Sequence, residues 1–276
     1  MNYKVISTST PAYKIIQEII QAKKSVLIIP PAYEDLDPEI DEPNPDIKMV
    51  GLFSSGTTGR PKCIWNSYEH LQLNAVRSAD AFEISSKDRL LFMAAPWHVA
   101  GISWAIMAEE LGNEYRFIKT KTGEAEVWLE AIHSYRPDHL LTVPAVLRNL
   151  YGKEWFVDNI IYGGSPLKYH ELTLMHPHCR SIYQGYGQTE AGGLIAVHKM
   201  RSGIKPAPDE HLCCGKAIKG VEILCEGKFG APALIQIKSE TAYTSKKYDT
   251  GDAGYTDVEG NIYVSGRLEA IIKDKL

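Results

Sequence analysis

From Arg89 to Gln184 the chain repeats one pattern: a short apolar run, a polar or glycine-bearing loop, then a helical stretch. Arg89–Ala94, Glu114–Ile118, His139–Val143, Asn159–Tyr162 and Ser181–Gln184 read as strands. Ile102–Leu111, Glu124–Ser134, Ala145–Tyr151 and Leu167–Met175 read as the helices between them. Continuous apolar strands are those buried on both faces, and their alternation with helices predicts an α/β fold: a mostly parallel sheet covered by helices. Ligands of such sheets bind beyond the carboxyl ends of the strands, so the loops that follow the strands are where chemistry is expected.

The flanking segments extend this frame. Pro11–Ala22 carries Ile15, Ile16, Ile19 and Ile20 at helical spacing. Ser25–Pro30 and Lys48–Phe53 read as buried strands, and Tyr68–Ala79 as a helix. Tyr33–Ile47, with seven acidic residues and three prolines, reads as an exposed connector. From about Ala196 the texture changes to short β runs (Val221–Cys225, Leu234–Lys238, Asn261–Val264) separated by Gly/Asp/Lys turns. The expected organisation is an α/β core over 1–195 and a small β-rich, barrel-like subdomain over 196–276.

Composition removes several function classes. A length of 276 residues, with 44% hydrophobic and 23% charged side chains, is that of a globular protein with one large or two ordinary domains. A net charge of −4 without a basic run gives no case for nucleic acid, and no apolar run approaches the ~20 residues of a membrane helix. The N-terminal residues lack a signal-peptide core. Cys63, Cys179, Cys213, Cys214 and Cys225 are odd in number and without C-x-x-C spacing, as expected of reduced thiols in a cytoplasmic protein.

The densest polar motif is Ser54-Ser55-Gly56-Thr57-Thr58-Gly59-Arg60-Pro61-Lys62, directly after a strand. A polar, glycine-rich turn at a strand end presents backbone N–H groups and hydroxyls to an anion, and Lys62 adds a mobile cation suited to phosphate oxygens. The glycine and lysine spacing is not that of a Walker loop. Farther on, Tyr186-Gly187-Gln188-Thr189-Glu190 joins an aromatic able to stack on a base, a hydroxyl able to bond a phosphate, and a carboxylate able to hold Mg²⁺. Gly163-Gly164-Ser165-Pro166 is a second glycine-rich turn, and Asp249-Thr250-Gly251-Asp252 reads as a β-turn ending in a carboxylate with two acceptor oxygens. Gly266-Arg267 follows the last β run, and His98 sits in Pro96-Trp97-His98-Val99-Ala100-Gly101 ahead of a small-residue helix.

In order and content these elements resemble the acyl-adenylate-forming superfamily of acyl-CoA synthetases, luciferases and peptide-synthetase adenylation domains, from about Leu52 to Lys273. The resemblance implies a phosphate loop at Ser54–Lys62, adenine stacked on Tyr186, a backbone at Gly163, Gly164 and Ser165 that passes the adenine and part of the acyl pocket, and nucleotide binding at Gly187 and Gln188. It implies α-phosphate contact by Thr189, magnesium at Glu190, ribose hydroxyls on Asp252 and a ribose or phosphate contact from Arg267. His98 would lie beside the acyl carboxylate, and Lys62, Thr189, Glu190 and His98 would form the catalytic set. ATP, Mg²⁺ and CoA are the implied cofactors, and a small carboxylic acid the substrate. Similarity at Pro96–Gly101, Val143–Arg148 and Gly163–Leu167 ranks the o-succinylbenzoate–CoA ligases of menaquinone synthesis first, with aryl and fatty acids as alternatives.

The resemblance also implies parts that are expected to be missing. Family members have a longer region before the phosphate loop, and a hinge, here at Glu269, leads to a small C-terminal domain. That domain's lysine steadies the transition state, and Lys273 and Lys275 stand too near the hinge to replace it. Losing such a charge costs about 10²–10³ in rate. Two expectations stand side by side: an acid–CoA ligase, or a nucleotide- and acyl-adenylate-binding fragment served by a separate C-terminal domain. A homodimer also stays open.

Overall fold

A computed structural model describes residues 2–7, 10–33, 40–54, 61–118, 125–201, 212–243 and 247–273. Of the phosphate loop, Ser54, Pro61 and Lys62 are described; Ser55, Gly56, Thr57, Thr58, Gly59 and Arg60 lie outside, as do much of the acidic connector and Lys275.

The first sheet holds β1 (Tyr3–Ser7), β2 (Ser25–Ile29), β3 (Met49–Ser54) and β4 (Lys62–Ser67) in that spatial order. β1, β2 and β3 pair in parallel, and β4 returns antiparallel to β3. Helix α1 (Ala12–Gln21) buries Ile15, Ile16 and Ile19 completely, the face its periodicity predicts. The expected strands and helices are present here. β1 and β4 are additions: the sequence reading ran from the polar loop straight to the helix at Tyr68. In fact Lys62–Ser67 forms the second arm of a hairpin, with Ser54 opposite Lys62.

The second sheet is larger. After α2 (Tyr68–Ala81) come β5 (Leu90–Met93), α3 (Val99–Leu111), β6 (Tyr115–Phe117), α4 (Ala125–Tyr135), β7 (His139–Thr142), α5 (Pro144–Asn149), β8 (Val157–Gly163), α6 (Tyr169–Met175) and β9 (Cys179–Gln188). Its parallel part runs β9-β8-β7-β5-β6. Side chains alternate across it as a strand requires. Leu90 and Phe92 pack in the core with α2 and α3, while Leu91 and Met93 join Trp128, Ile132, Leu147 and Leu172 beneath α4, α5 and α6. Helices on both faces explain why these strands carry unbroken apolar runs.

Beyond β9 the sheet continues as β10 (Gly193–Arg201), β11 (Cys213–Ala217), β12 (Val221–Leu224), β13 (Ala233–Ser239), β14 (Lys247–Thr256) and β15 (Ile262–Arg267), in the order β9-β10-β11-β15-β14-β13-β12. All of these pairings are antiparallel, so the change of texture near Ala196 marks the change from parallel to antiparallel pairing. A short helix, α7 (Leu268–Lys273), follows. Three sequence readings are corrected. Asp249–Asp252 lies inside the ten-residue β14, not in a free turn. Gly266-Arg267 closes β15. The Gly185–Gln188 stretch belongs to β9, and the turn begins only at Thr189. In each case the glycines that suggested a turn serve a paired strand, with register shifts near Gly254 and Leu194.

Candidate active site

The register of the parallel strands aligns their carboxyl ends. Met93 pairs with Thr142, Thr142 with Tyr162, and Gly163 with Gly185. The segments that leave these strands therefore emerge along one edge: Ala94–His98 after β5, Val143 after β7, Gly163-Gly164-Ser165-Pro166 after β8, and the end of β9 carrying Tyr186–Glu190. Gly164 has φ 85°, a left-handed conformation that lets the chain turn sharply off β8. Ser165 is exposed beside it.

Three of the expected site residues converge on a fourth, the Asp252 carboxylate. Asp252 on β14 is 8% exposed, and its Oδ2 accepts from the Tyr186 hydroxyl (2.7 Å) and from Gln188 Nε2 (2.7 Å). Its Oδ1 faces Arg267 Nε at 3.4 Å. Gln188 Nε2 also donates to the Thr250 carbonyl (3.0 Å), as does an Arg267 terminal nitrogen (2.9 Å). The Asp252 N–H donates to Thr250 Oγ1 (3.1 Å), whose own proton goes to the Ile235 carbonyl (2.7 Å). A buried carboxylate needs such donors and a cation, since an unpaired charge in this position is costly. Burial first, and then the Asp252 charge, push the Tyr186 phenol far above its ordinary pKa, so it stays protonated and donating. Asp252 thus commits Oδ2 to two neutral donors and Oδ1 to the cation of Arg267, whose side chain is 53% exposed.

A second convergence joins the phosphate-loop stem to the Thr189–Glu190 turn. The β3–β4 hairpin packs against the short 3₁₀ turn Thr189–Ala191. Lys62 Nζ donates to the Tyr243 hydroxyl (3.4 Å), and the Tyr243 N–H donates to the Glu190 carbonyl (3.0 Å). Tyr243 stands edge-on to Tyr248, whose hydroxyl donates to Gln188 Oε1 (3.3 Å), so the two groups of site residues share one aromatic pair. Thr189 is buried, and the Glu190 carboxylate is half-buried and makes no ion pair among the described residues. Ser54 Oγ is closed to solvent and has no hydrogen-bond partner among the described residues.

Gly193, at φ 132°, begins β10 where a Cβ would stand 2.4 Å from Asn74 Oδ1. That Asn74, 1% exposed on α2, accepts from the Leu194 N–H (2.9 Å) and donates to the Leu194 carbonyl (2.9 Å). Sequence reasoning missed Asn74, although a polar residue between Leu71 and Ala75 on the buried stripe of a helix was a visible signal. It also missed Tyr243 and Tyr248, for which no local pattern exists.

His98 stands apart from both groups. It leads into α3, where its carbonyl accepts from Ile102 N–H (3.0 Å) and its own N–H donates to Ala95 (3.3 Å). The residue is exposed to solvent, yet the protein packed around it desolvates the imidazolium and lowers its pKa. β5, which it follows, is separated from β8 by β7.

Comparison with known proteins agrees with this architecture. The family model "AMP-binding enzyme" matches residues 5–227. The 2-succinylbenzoate–CoA ligase of Listeria monocytogenes is 25% identical over 235 residues, covering 80% of this chain and 49% of its own length. The indoleacetate–CoA ligase of Aromatoleum aromaticum is 25% identical over 265 residues, covering 86% and 50%. The solved o-succinylbenzoate coenzyme A synthetase (MenE) of Bacillus subtilis, in complex with AMP, superposes with a TM-score of 0.71 over 96% of this chain and 63% of that one. At 20% identity that likeness is one of fold. The chain spans about half the length of the curated relatives it matches. With the family model covering most of its residues, the chain belongs to the AMP-binding enzyme family.

Proposed function

We propose that this chain is the nucleotide- and acid-binding core of an ATP-dependent, AMP-forming acid–CoA ligase, similar to the 2-succinylbenzoate–CoA ligases. The observation that carries the reading is the assembly of Tyr186, Gln188 and Arg267 around Asp252, with Tyr186 and Gln188 on β9, the strand paired with the β8 that ends at the Gly163-Gly164 turn. In it, Asp252 Oδ1 and Arg267 receive the ribose, and Tyr186 and the glycine turn flank the adenine. Lys62, Ser54 and Thr189 meet the phosphates, with the unmet Ser54 hydroxyl suiting an anion. A half-buried Glu190 beside them suits magnesium, which is held by one or two carboxylates together with substrate phosphates. Bound there, the ion would neutralise phosphate charge. His98 lies where the acid approaches. The division into a core over 1–195 and a β-rich part over 196–276 belongs to this proposal, as does a cytoplasmic location. What is observed is that no helix among the described residues is long and apolar enough to cross a membrane.

The reaction proposed has two steps. A carboxylate oxygen of the acid attacks the α-phosphorus of ATP, forming the acyl–phosphate bond while the bond to the bridging oxygen breaks and pyrophosphate leaves. The sulfur of CoA then attacks the acyl carbon, loses its proton and expels AMP. The protein's contribution is positioning and charge stabilisation. The test is Mg·ATP titration followed by ATP–pyrophosphate exchange with 2-succinylbenzoate, benzoates, phenylacetate and medium-chain fatty acids. Acid-dependent exchange that vanishes in Glu190→Ala is the expected result. ATP binding without exchange would reduce the chain to an adenylate-binding fragment, and a failure of Asp252→Asn to weaken ATP would sink the nucleotide site.

A further inference from the structure

The segment that leaves β13, Ser239-Glu240-Thr241-Ala242-Tyr243, forms a strap across the turn that carries Thr189 and Glu190. It anchors that turn at successive carbonyls: Thr241 Oγ1 donates to the Ala191 carbonyl (2.9 Å), and the Tyr243 N–H to the Glu190 carbonyl (3.0 Å). The carbonyl of Thr189 accepts from the Gly192 N–H (3.1 Å). Gly192, at φ 76°, would bring a Cβ to 2.7 Å from the Thr241 carbonyl oxygen, so strap and turn are closely packed as well as bonded. Thr241 is 1% exposed, and its hydroxyl has a single proton. With that proton on Ala191, the 2.9 Å contact to Ser239 Oγ is one in which Ser239 donates, while Ser239 Oγ accepts from the Thr241 N–H (3.2 Å). Both hydroxyls are buried, so the Thr241 proton has one orientation. The strap is docked in turn on α2, where Arg77 pairs with Glu240. Arg77 stands one helical turn beyond the Asn74 that holds Leu194.

Resting on the reading of the preceding section, we propose that Thr241 is a positioning residue for Glu190: its hydroxyl, held by Ser239, fixes the Thr189–Ala191 turn so that the Glu190 carboxylate meets the magnesium of Mg·ATP. Magnesium tolerates little departure from octahedral geometry and is held by few carboxylates. A carboxylate on a three-residue 3₁₀ turn is only as well placed as the backbone beneath it. The strap supplies that backing from a strand connection 50 residues downstream, through two carbonyls that the short turn does not satisfy itself. It also carries the Tyr243 hydroxyl that receives Lys62, so one segment touches both the metal carboxylate's turn and the phosphate cation.

The test reads the magnesium effect on binding: the calorimetric ATP affinity of the full chain with Mg²⁺, divided by that with EDTA. Thr241→Val removes the donor and keeps the branched shape. It is expected to lower this ratio by ~10–100-fold, as loss of the partner behind a metal ligand does, to the value of Glu190→Ala. AMP affinity in EDTA should stay that of the parent, whereas a fold merely loosened would weaken AMP and ATP together. Thr241→Ser restores the donor and should return the parent ratio. Added to Glu190→Ala, Thr241→Val should lower the ratio no further, and a further drop would overturn the proposal. Glu240→Ala, at an exposed side chain, loosens the strap without opening the core and should lower the ratio in the same direction. It keeps the test decisive if Thr241→Val does not fold. A ratio lost in Glu190→Ala but kept in Thr241→Val would overturn the proposal and leave the nucleotide reading standing. So would a ratio kept in Glu240→Ala where Thr241→Val does not fold. A ratio kept in every variant, or a parent without affinity for ATP, would remove the magnesium site of the preceding section and this proposal with it.

Discussion

The Tyr186 hydroxyl and the Asp252 carboxylate, 66 positions apart in sequence, share a 2.7 Å hydrogen bond that ties the end of β9 to the middle of β14. It fixes the ring of Tyr186 by its far end, and it occupies Oδ2 of Asp252. Tyr186→Phe keeps the ring and removes the donor, while Gln188 still serves Asp252. The expected result is a loss of about 1 kcal/mol of stability in denaturant titration and an ATP affinity within about threefold of the parent. Tyr186→Ala also removes the stacking surface, worth about 1–3 kcal/mol per base, and should weaken ATP by ~10-fold or more. If the two variants weaken ATP equally, the ring is not what contacts the base.

In the proposed reading Lys62 meets the triphosphate and not the nucleoside. Its ammonium is exposed and held by a weak 3.4 Å contact to the Tyr243 hydroxyl, so it is free to move to a phosphate. Lys62→Met should lower ATP affinity by about 10–100-fold, as the loss of a charged hydrogen bond of ~1.5–3 kcal/mol predicts, and leave AMP affinity nearly unchanged. Titrating both nucleotides at two salt concentrations checks this, because the lost contribution should also be the salt-sensitive one.

How much of this was legible in the sequence differs from residue to residue. The position of Gly163–Pro166 at the end of β8 followed from the apolar run before it, since a strand covered on both faces has little choice of composition, whereas β9 runs four residues past the Gln184 at which its apolar run ends. β4 was not legible, because Cys63-Ile64-Trp65-Asn66 mixes faces: three of its residues are buried in sequence, not in alternation. The β-turn read at Asp249–Asp252 was undone by pairing, as β14 takes up the motif between β13 and β15. Tyr243 was invisible because its significance lies in a partner 181 residues away. Local pattern placed the loops, and only the strand order brought Asp252 and Arg267 to Tyr186.

Asn74 is expected to matter for the fold that carries the site. Its side-chain amide satisfies both polar backbone groups of Leu194 at the first turn of β10, immediately after the Thr189–Glu190 segment. Asn74→Ala strands the N–H and the carbonyl of the half-buried Leu194, each costing up to about 1–3 kcal/mol, so a loss of ~2–4 kcal/mol in chemical denaturation is expected. Asn74→Asp restores the acceptor and opposes a carboxylate to the Leu194 carbonyl, and should be no more stable than the alanine variant. A near-neutral Asn74→Ala would show that water replaces the amide.

The pH dependence of stability should carry the mark of Glu171. This carboxylate, 5% exposed at the start of α6, accepts from Arg148 Nε (2.6 Å) and a second Arg148 nitrogen (3.2 Å), from the Lys168 N–H (2.7 Å) and from the Tyr151 hydroxyl (3.3 Å). The Arg148 hydrogen bond above all lowers its pKa from 4.5 to about 2. A carboxyl with a depressed folded-state pKa adds stability that is fully present above its unfolded value and is lost as pH falls through the folded one. The window is therefore from about pH 4.5 down to about pH 2, with a contribution on the order of 2 kcal/mol at neutral pH, discounted for the exposure of Arg148. Glu171→Gln keeps the shape and the Lys168 cap and should flatten this part of the profile, bringing parent and variant together near pH 2. Denaturant midpoints measured at half-unit steps between pH 2 and 7 would show it, and parallel curves for the two proteins would assign the acid sensitivity to other carboxylates.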